Sequence, residues 1–254
     1  LTSSRAFAVP GLLSSERTDK SDATLGLVLT FVAGAINAGG LLVVGQYTSH
    51  MSGILSAIAD NLALGALGLV MAGAGALLSF LAGAACSAIL INWGRRAHRR
   101  SVYATPLSLE AILLSGFGLS GAVLGDDPAF AMVAVVLLCF VMGLQNATIT
   151  KISGARIRTT HVTGMVTDLG IELGKLAYLN RTPAFPGAGP VVADRGKLRL
   201  LAAMLSSFFV GGVLGALAFQ MFGILATLLL SLPLAALSAR SFVEEARHQE
   251  EIRS

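Results

Sequence analysis

Six stretches of the chain stay apolar for long enough to cross a bilayer as helices, which takes about 20 residues each. They are 24–45, 62–93, 106–124, 129–146, 198–222 and 223–237. The last is short, contains Pro233 and follows its neighbour with almost no loop, so the division at 222/223 is the least marked. Glycines recur inside the spans, at Gly73, Gly75, Gly83, Gly116, Gly118, Gly121, Gly211, Gly212 and Gly215. They let helices approach closely where lipid supplies no hydrophobic drive between them.

The polar residues between the spans set an orientation, because short loops rich in Lys and Arg stay cytoplasmic. Arg5, Arg17 and Lys20 precede the first span, Arg95, Arg96, Arg99 and Arg100 fill the second connection, and Lys151, Arg156, Arg158 and Arg199 belong to the fourth. Arg240 follows the last span, whereas 46–61 holds no basic residue and the third connection is the acidic turn Asp126, Asp127, Pro128. Both termini are therefore expected inside. Trp93, Tyr47, Tyr103 and Tyr178 fall near span ends, as interfacial aromatics do.

Composition agrees with this reading. Of 254 residues, 54% are hydrophobic and 13% charged, with a mean hydropathy of +0.76; a soluble domain carries about 25% charged residues. Soluble, disordered, collagen-like and disulfide-stapled classes are excluded. Eighteen basic against fourteen acidic residues leave a net charge of +4, too dispersed to suggest nucleic acid as a partner. Cys86 and Cys139 lie in apolar runs and read as packing residues. The apolar stretch 6–13 is short and broken by Pro10, so a cleaved signal peptide is not expected.

The two halves of the chain repeat. Thr48-Ser49-His50-Met51-Ser52-Gly53-Ile54-Leu55 aligns with Thr159-Thr160-His161-Val162-Thr163-Gly164-Met165-Val166, every position identical or similar. Upstream, Phe31-Val32-Ala33-Gly34-Ala35-Ile36-Asn37-Ala38 aligns with Phe140-Val141-Met142-Gly143-Leu144-Gln145-Asn146-Ala147. Three crossings separate the copies, an odd number, so the second half enters the membrane from the opposite side. The expected fold is all-α, six transmembrane helices in a three-plus-three inverted repeat. Its parts are a cytoplasmic flank at 1–23, repeats at 24–124 and 129–239, and a cytoplasmic tail at 240–254. Segments 48–62 and 159–173 carry Asp60, Asn61, Asp168 and Glu172 and are too polar for lipid, so each is expected to be a re-entrant or broken, cavity-lining helix.

The run 34–40, the Thr-Ser-His-Met-Ser-Gly run, 142–147, and 159–164 with Asp168 together resemble the YoaK-type family of uncharacterised bacterial multi-pass membrane proteins. The resemblance extends from about residue 24 to about residue 240 and implies a cytoplasmic (inner) membrane location without an established activity. It also implies Asp, in many members, where this chain has Asn37, and Asn where it has Ile54; an acid acting at position 37 in those relatives has no equivalent here.

Helices opening at the two motifs present free backbone N–H groups and a positive dipole end, beside hydroxyls. Paired ends of this kind build mid-membrane sites in many transporters. The candidate substrate-binding residues are Thr48, Ser49, His50, Ser52, Gly53, Thr159, Thr160, His161, Thr163 and Gly164; simple N-capping is the competing role. A polar cavity or proton path would draw on Asn37, Asp60, Asn61, Gln145, Asn146, Asp168 and Glu172. His161, Gly164, Asp168 and Glu172 share one helical face, which also suits an amphipathic helix exposed beside Lys175. Glu110 interrupts an apolar span near its cytoplasmic end, where snorkelling or pairing with the Arg95–Arg100 cluster is expected.

The leading expectation is a transporter or channel for a small polar or anionic solute. A membrane-embedded metal-dependent enzyme using His50, His161 and nearby acids is the alternative, weakened by the lack of any local metal-spacing motif; a membrane assembly or scaffold protein is the third. No GxGxxG, phosphate loop, nucleophile elbow or Cys-x-x-Cys occurs. No catalytic residue, metal or cofactor is expected. The expected partners are the lipid bilayer, the solute and a possible second copy of the chain.

Overall fold

A computed structural model describes residue 13 and residues 18–99, 101–124, 128–154, 159–181 and 189–253. The acidic turn at Asp126 and Asp127 and the basic residues Arg5, Arg17, Arg100, Arg156 and Arg158 lie outside the described residues. Among the described residues the chain is helical with no strand: α1 (Asp19–Val44), α2 (Met51–Ala63), α3 (Leu67–Arg96), α4 (Ala104–Leu124), α5 (Pro128–Ile152), α6 (Val162–Ala177), α7 (Arg195–Phe222), a 3₁₀ turn (Gly223–Leu225) and α8 (Ala226–Arg253).

Among the described residues five helical stretches are long and apolar enough to cross a membrane: α1, α3, α4, Ala129–Ile152 of α5, and Arg195–Arg247, which runs through α7, the 3₁₀ turn and most of α8. At 1.5 Å per residue, the 53 residues of the last stretch would extend about 80 Å, far beyond one hydrocarbon core. It breaks at Gly223, whose φ of 56° suits glycine alone and whose N–H donates to the Phe219 carbonyl. The helices at the two motifs, α2 with 13 residues and α6 with 16, are too short to span.

Side chains cap two of the long helices. Thr18 and Ser21 form a capping box at the start of α1, and the Asp194 carboxylate accepts from the N–H groups of Gly196 and Lys197, both at 2.9 Å, at the start of α7. No side chain among the described residues caps α2, α6 or the long helix α3.

The most extensive packing joins α1 to α7 and α3 to α5, each pair running in the same direction. Along the first seam Ser207 Oγ donates to the Leu27 carbonyl at 2.8 Å, and along the second Ser87 and Thr148 are hydrogen-bonded at 2.8 Å. Four glycines make these seams possible. A Cβ on Gly34 would overlap the Phe208 carbonyl oxygen, one on Gly211 that of Phe31, one on Gly83 that of Phe140, and one on Gly143 that of Phe80. α4 and α8 pack antiparallel, with Ser115 Oγ donating to Ser231 Oγ at 2.9 Å, while α2 lies on α3 and α6 on α7.

Leu29, Ile36, Leu107, Leu114, Met142 and Met204 fill the interior. The outside is as apolar as the inside: Val123 is 83% exposed, Leu64 80%, Met71 75% and Phe209 70%. Such a surface belongs against lipid rather than water. The protein is a multi-helix membrane protein on these grounds.

Candidate functional site

α1 ends at Gly45, where a φ of 73° turns the chain and the N–H donates to the Leu41 carbonyl. The following residues fold back along the last turns of α1. Ser49 donates from both its backbone N–H (3.3 Å) and its hydroxyl (2.9 Å) to the Asn37 side-chain oxygen. The second half has the same strut: Asn146 Oδ1 accepts from the Thr160 hydroxyl at 2.8 Å and from the Thr159 hydroxyl at 3.3 Å. The Asn146 amide nitrogen donates in turn to the Met142 carbonyl at 2.8 Å, which fixes which way the side chain points.

These struts aim the starts of α2 and α6. His50 and His161 stand at the two N-cap positions with similar backbone angles, φ −93°, ψ 70° and φ −83°, ψ 55°. The first intrahelical bonds run from Ile54 N–H to the His50 carbonyl and from Met165 N–H to the His161 carbonyl. The N–H groups of residues 51–53 and 162–164 precede those bonds and are left at the helix ends, as the first turn of any helix leaves them.

Both ends line one cavity of about 510 Å³. Its walls include Ser49, His50, Met51 and Ser52 from one half and Thr160, His161, Val162, Thr163 and Gly164 from the other, with Asn37, Tyr47, Phe80 and Phe208. That volume suits a small solute. The chemistry on offer is mixed: two imidazoles, hydroxyls, and backbone N–H groups at two positive dipole ends, set between two phenylalanine rings. Nothing in the pattern of polar residues pointed to Phe80 and Phe208; the Phe-x-x-Gly spacing they share is the signal that finds them.

The remaining candidates divide. Thr48 and Thr159 are fully buried behind the cavity, Thr48 against Gly40 with a hydroxyl that has no partner among the described residues. Gly53 lies under the His50 ring, and Gly164 has open space beside it. Asp60 and Asn61 sit at the far end of α2, where Asn61 donates to the Ala57 carbonyl at 2.7 Å. Asp168 and Glu172 are also away from the cavity. Asp168 pairs with Lys197 of α7 at 3.1 Å; Glu172 accepts from Lys175 at 2.9 Å and from the Asp194 N–H at 2.8 Å. The Lys175 hydrogen bond, and after it the Asp194 N–H, hold the Glu172 carboxyl below the ordinary carboxylate range. The Asp194 carboxyl is likewise lowered, first by the Lys197 N–H. This group ties the end of α6 to the start of α7.

Gln145 points elsewhere, to Glu110. Contrary to the expected pairing with arginines, Glu110 is fully buried and accepts from the Gln145 amide at 2.7 Å. The reason is its register on α4: Leu107, Glu110, Ala111 and Leu114 share the face turned into the bundle, so the side chain cannot snorkel outward. Among the described residues, no three His, Cys, Asp or Glu side chains converge in a way that could hold a metal ion.

Residues 25–239 match the model of a family described as a protein of unknown function, DUF1275. The chain belongs to this family. The match takes in all the helices from α1 into α8, and with them both struts and the whole cavity lining. No curated protein and no solved structure matches the chain, so what this DUF1275 member does must be argued from its own residues.

Proposed function

We propose that the protein is a transporter or channel for a small polar or anionic solute, of YoaK type, in a bacterial cytoplasmic membrane with both termini inside. The observation that carries this reading is the single cavity lined by the uncapped starts of both short helices. A helix start whose N–H groups are met by no side chain favours a ligand that accepts hydrogen bonds or carries negative charge. The hydroxyl of Ser49 is spent on Asn37, and those of Thr159 and Thr160 on Asn146, so the motif's conserved pattern within the chain is not explained by capping.

In this reading the 53-residue stretch counts as two crossings, giving six, and the two short helices are re-entrant halves. The inverted repeat is supported by the glycine seams. The contact of Gly211 with Phe31 has its counterpart in that of Gly83 with Phe140, and the contact of Gly34 with Phe208 in that of Gly143 with Phe80. Exchanging the halves therefore exchanges the contacts, as a two-fold axis in the membrane plane would.

The test is uptake by proteoliposomes of a panel of small anions and neutral polar solutes, followed by Ser52→Ala, Thr163→Ala, His50→Ala and His161→Ala. Each variant should weaken half-saturation by about 2- to 12-fold, the equivalent of one hydrogen bond at ~0.5–1.5 kcal/mol. Thermal stability of Ser52→Ala, Thr163→Ala and His50→Ala should stay near that of the wild type, since none of these side chains caps its helix. Unchanged half-saturation in all four would remove the cavity from the transport path.

A further inference from the structure

One buried carboxyl has no role in the cavity. Glu110 is 0% exposed in the interface between α4 and α5, and so is its partner Gln145. The Gln145 amide nitrogen donates to Glu110 Oε1 at 2.7 Å, while Glu110 Oε2 and Gln145 Oε1 are both buried without a hydrogen-bond partner among the described residues. The bonded pair thus keeps two buried acceptor oxygens and lacks a donor for them. A single proton on Glu110 Oε2 would supply one, and donation to Gln145 Oε1 would close an acid–amide ring of two hydrogen bonds. Turning the amide over does not remove the need, because it would set two oxygens at the 2.7 Å now separating nitrogen from oxygen, which again requires a proton.

Among the described residues no charged side chain pairs with Glu110. The ionisable side chains described on the elements packed against α4 are Lys151 and Cys139 on α5; Arg95, Arg96 and Cys86 on α3; and Arg240, Glu244, Glu245, Arg247 and Glu250 on α8. None pairs with Glu110 among the described residues: Arg95 donates to the Tyr103 hydroxyl and Arg240 to Glu244. An unpaired carboxylate at this depth is far costlier than the neutral acid.

We propose that Glu110 and Gln145 form a proton-binding site inside the membrane, the carboxyl being held as the neutral acid while α4 and α5 are packed as they are. The site is single, because the residue matching Gln145 in the first half is Ile36. Gln145 adjoins Asn146, the strut that holds Thr159 and Thr160 at the start of α6. If the solute-transport reading above is right, release of this proton to water on parting of α4 and α5 accompanies movement of the α6 end of the cavity; the proton site itself does not depend on that reading.

The experiment is infrared difference spectroscopy of the full chain in nanodiscs at pH 7. The wild type should show the carbonyl band of a hydrogen-bonded carboxylic acid, E110Q should lack it, and E110Q should keep the wild-type melting temperature because glutamine mimics the neutral acid. Q145L should keep the band at a higher frequency, the acid persisting without its amide. No band sensitive to E110Q, or a band unmoved by Q145L, overturns the proposal. A band present in choline buffer but lost in sodium at the same pH also overturns it, giving the site to a monovalent cation. The acid band with no uptake of any solute would leave the proton site standing and sink the transport reading alone.

Discussion

Gly143→Ala tests the helix seams that frame the cavity. A Cβ at this position would stand 2.8 Å from the Phe80 carbonyl carbon and 3.0 Å from its Cα, where ordinary contact begins at 3.4 Å. It would also overlap the Phe80 carbonyl oxygen, so α3 and α5 must part by more than about 0.6 Å at the crossing, since all three obstacles are backbone and none can swing aside. A gap of that size forfeits roughly a quarter of each dispersion contact along the seam, and overpacking of this kind costs about 1–3 kcal/mol. Gly116→Ala is the matched control, because nothing lies within 4 Å of a Cβ there; it should gain about 0.5–1 kcal/mol from the better helix former. The two variants should differ by about 1.5–4 kcal/mol in unfolding free energy, read as melting temperature in one detergent. Because Phe80 lines the cavity, Gly143→Ala should also weaken solute uptake. Equal melting temperatures for the two variants would refute the close-approach argument, and with it the seam geometry from which the inverted repeat draws support.

Two further outcomes follow from the polar contacts. Asn146→Leu removes the acceptor of both Thr159 and Thr160 and strands the fully buried Thr159 hydroxyl, so stability should fall by about 2–3 kcal/mol and uptake should fall with it; a variant as stable as the wild type would show that the strut does not position α6. Glu172 lies outside the spanning helices with its carboxyl lowered, so it contributes stability that is present above the unfolded-state value of ~4.3 and lost as pH falls through the folded value. Glu172→Gln should therefore flatten the acid limb of a melting-temperature profile, and an unchanged profile would show the ion cluster to be without effect.

The spans were legible because lipid leaves a long, unambiguous signal: each observed long helix overlaps an expected stretch, and the differences are at the ends. The observed helices overrun those stretches where polar residues extend them into the interface, as α5 does to Ile152 and α8 to Arg253. Hydropathy cannot mark such ends, because the backbone stays helical after the apolar run stops. The short helices were legible for the opposite reason, that Asp60, Asn61, Asp168 and Glu172 are too polar for lipid. What those acids do was not legible. The one-face arithmetic linking His161 to Glu172 holds along α6, but only its first turn meets the cavity; Lys197 and Asp194, far away in sequence, engage the rest.

Glu110 shows the same limit from another side. Its position near a span end suggested snorkelling toward arginines, and only the rotation of α4 about its own axis decides whether a residue at that height faces lipid, water or the bundle. Rotation is set by packing partners, here the α5 face carrying Gln145 and the α8 face carrying Ser231, and neither can be paired with α4 from one sequence. The motif residues separate in the same way. The repeat made Thr-Ser/Thr-His prominent without saying which hydroxyls are structural, and it is the asparagines one strut away that sort them. Ser49, Thr159 and Thr160 bind the amides, and this leaves Ser52 and Thr163 on the cavity wall beside the two histidines. A motif used only for capping would have put those hydroxyls on the helix ends; instead the ends of α2 and α6 are open on the cavity that the two halves share.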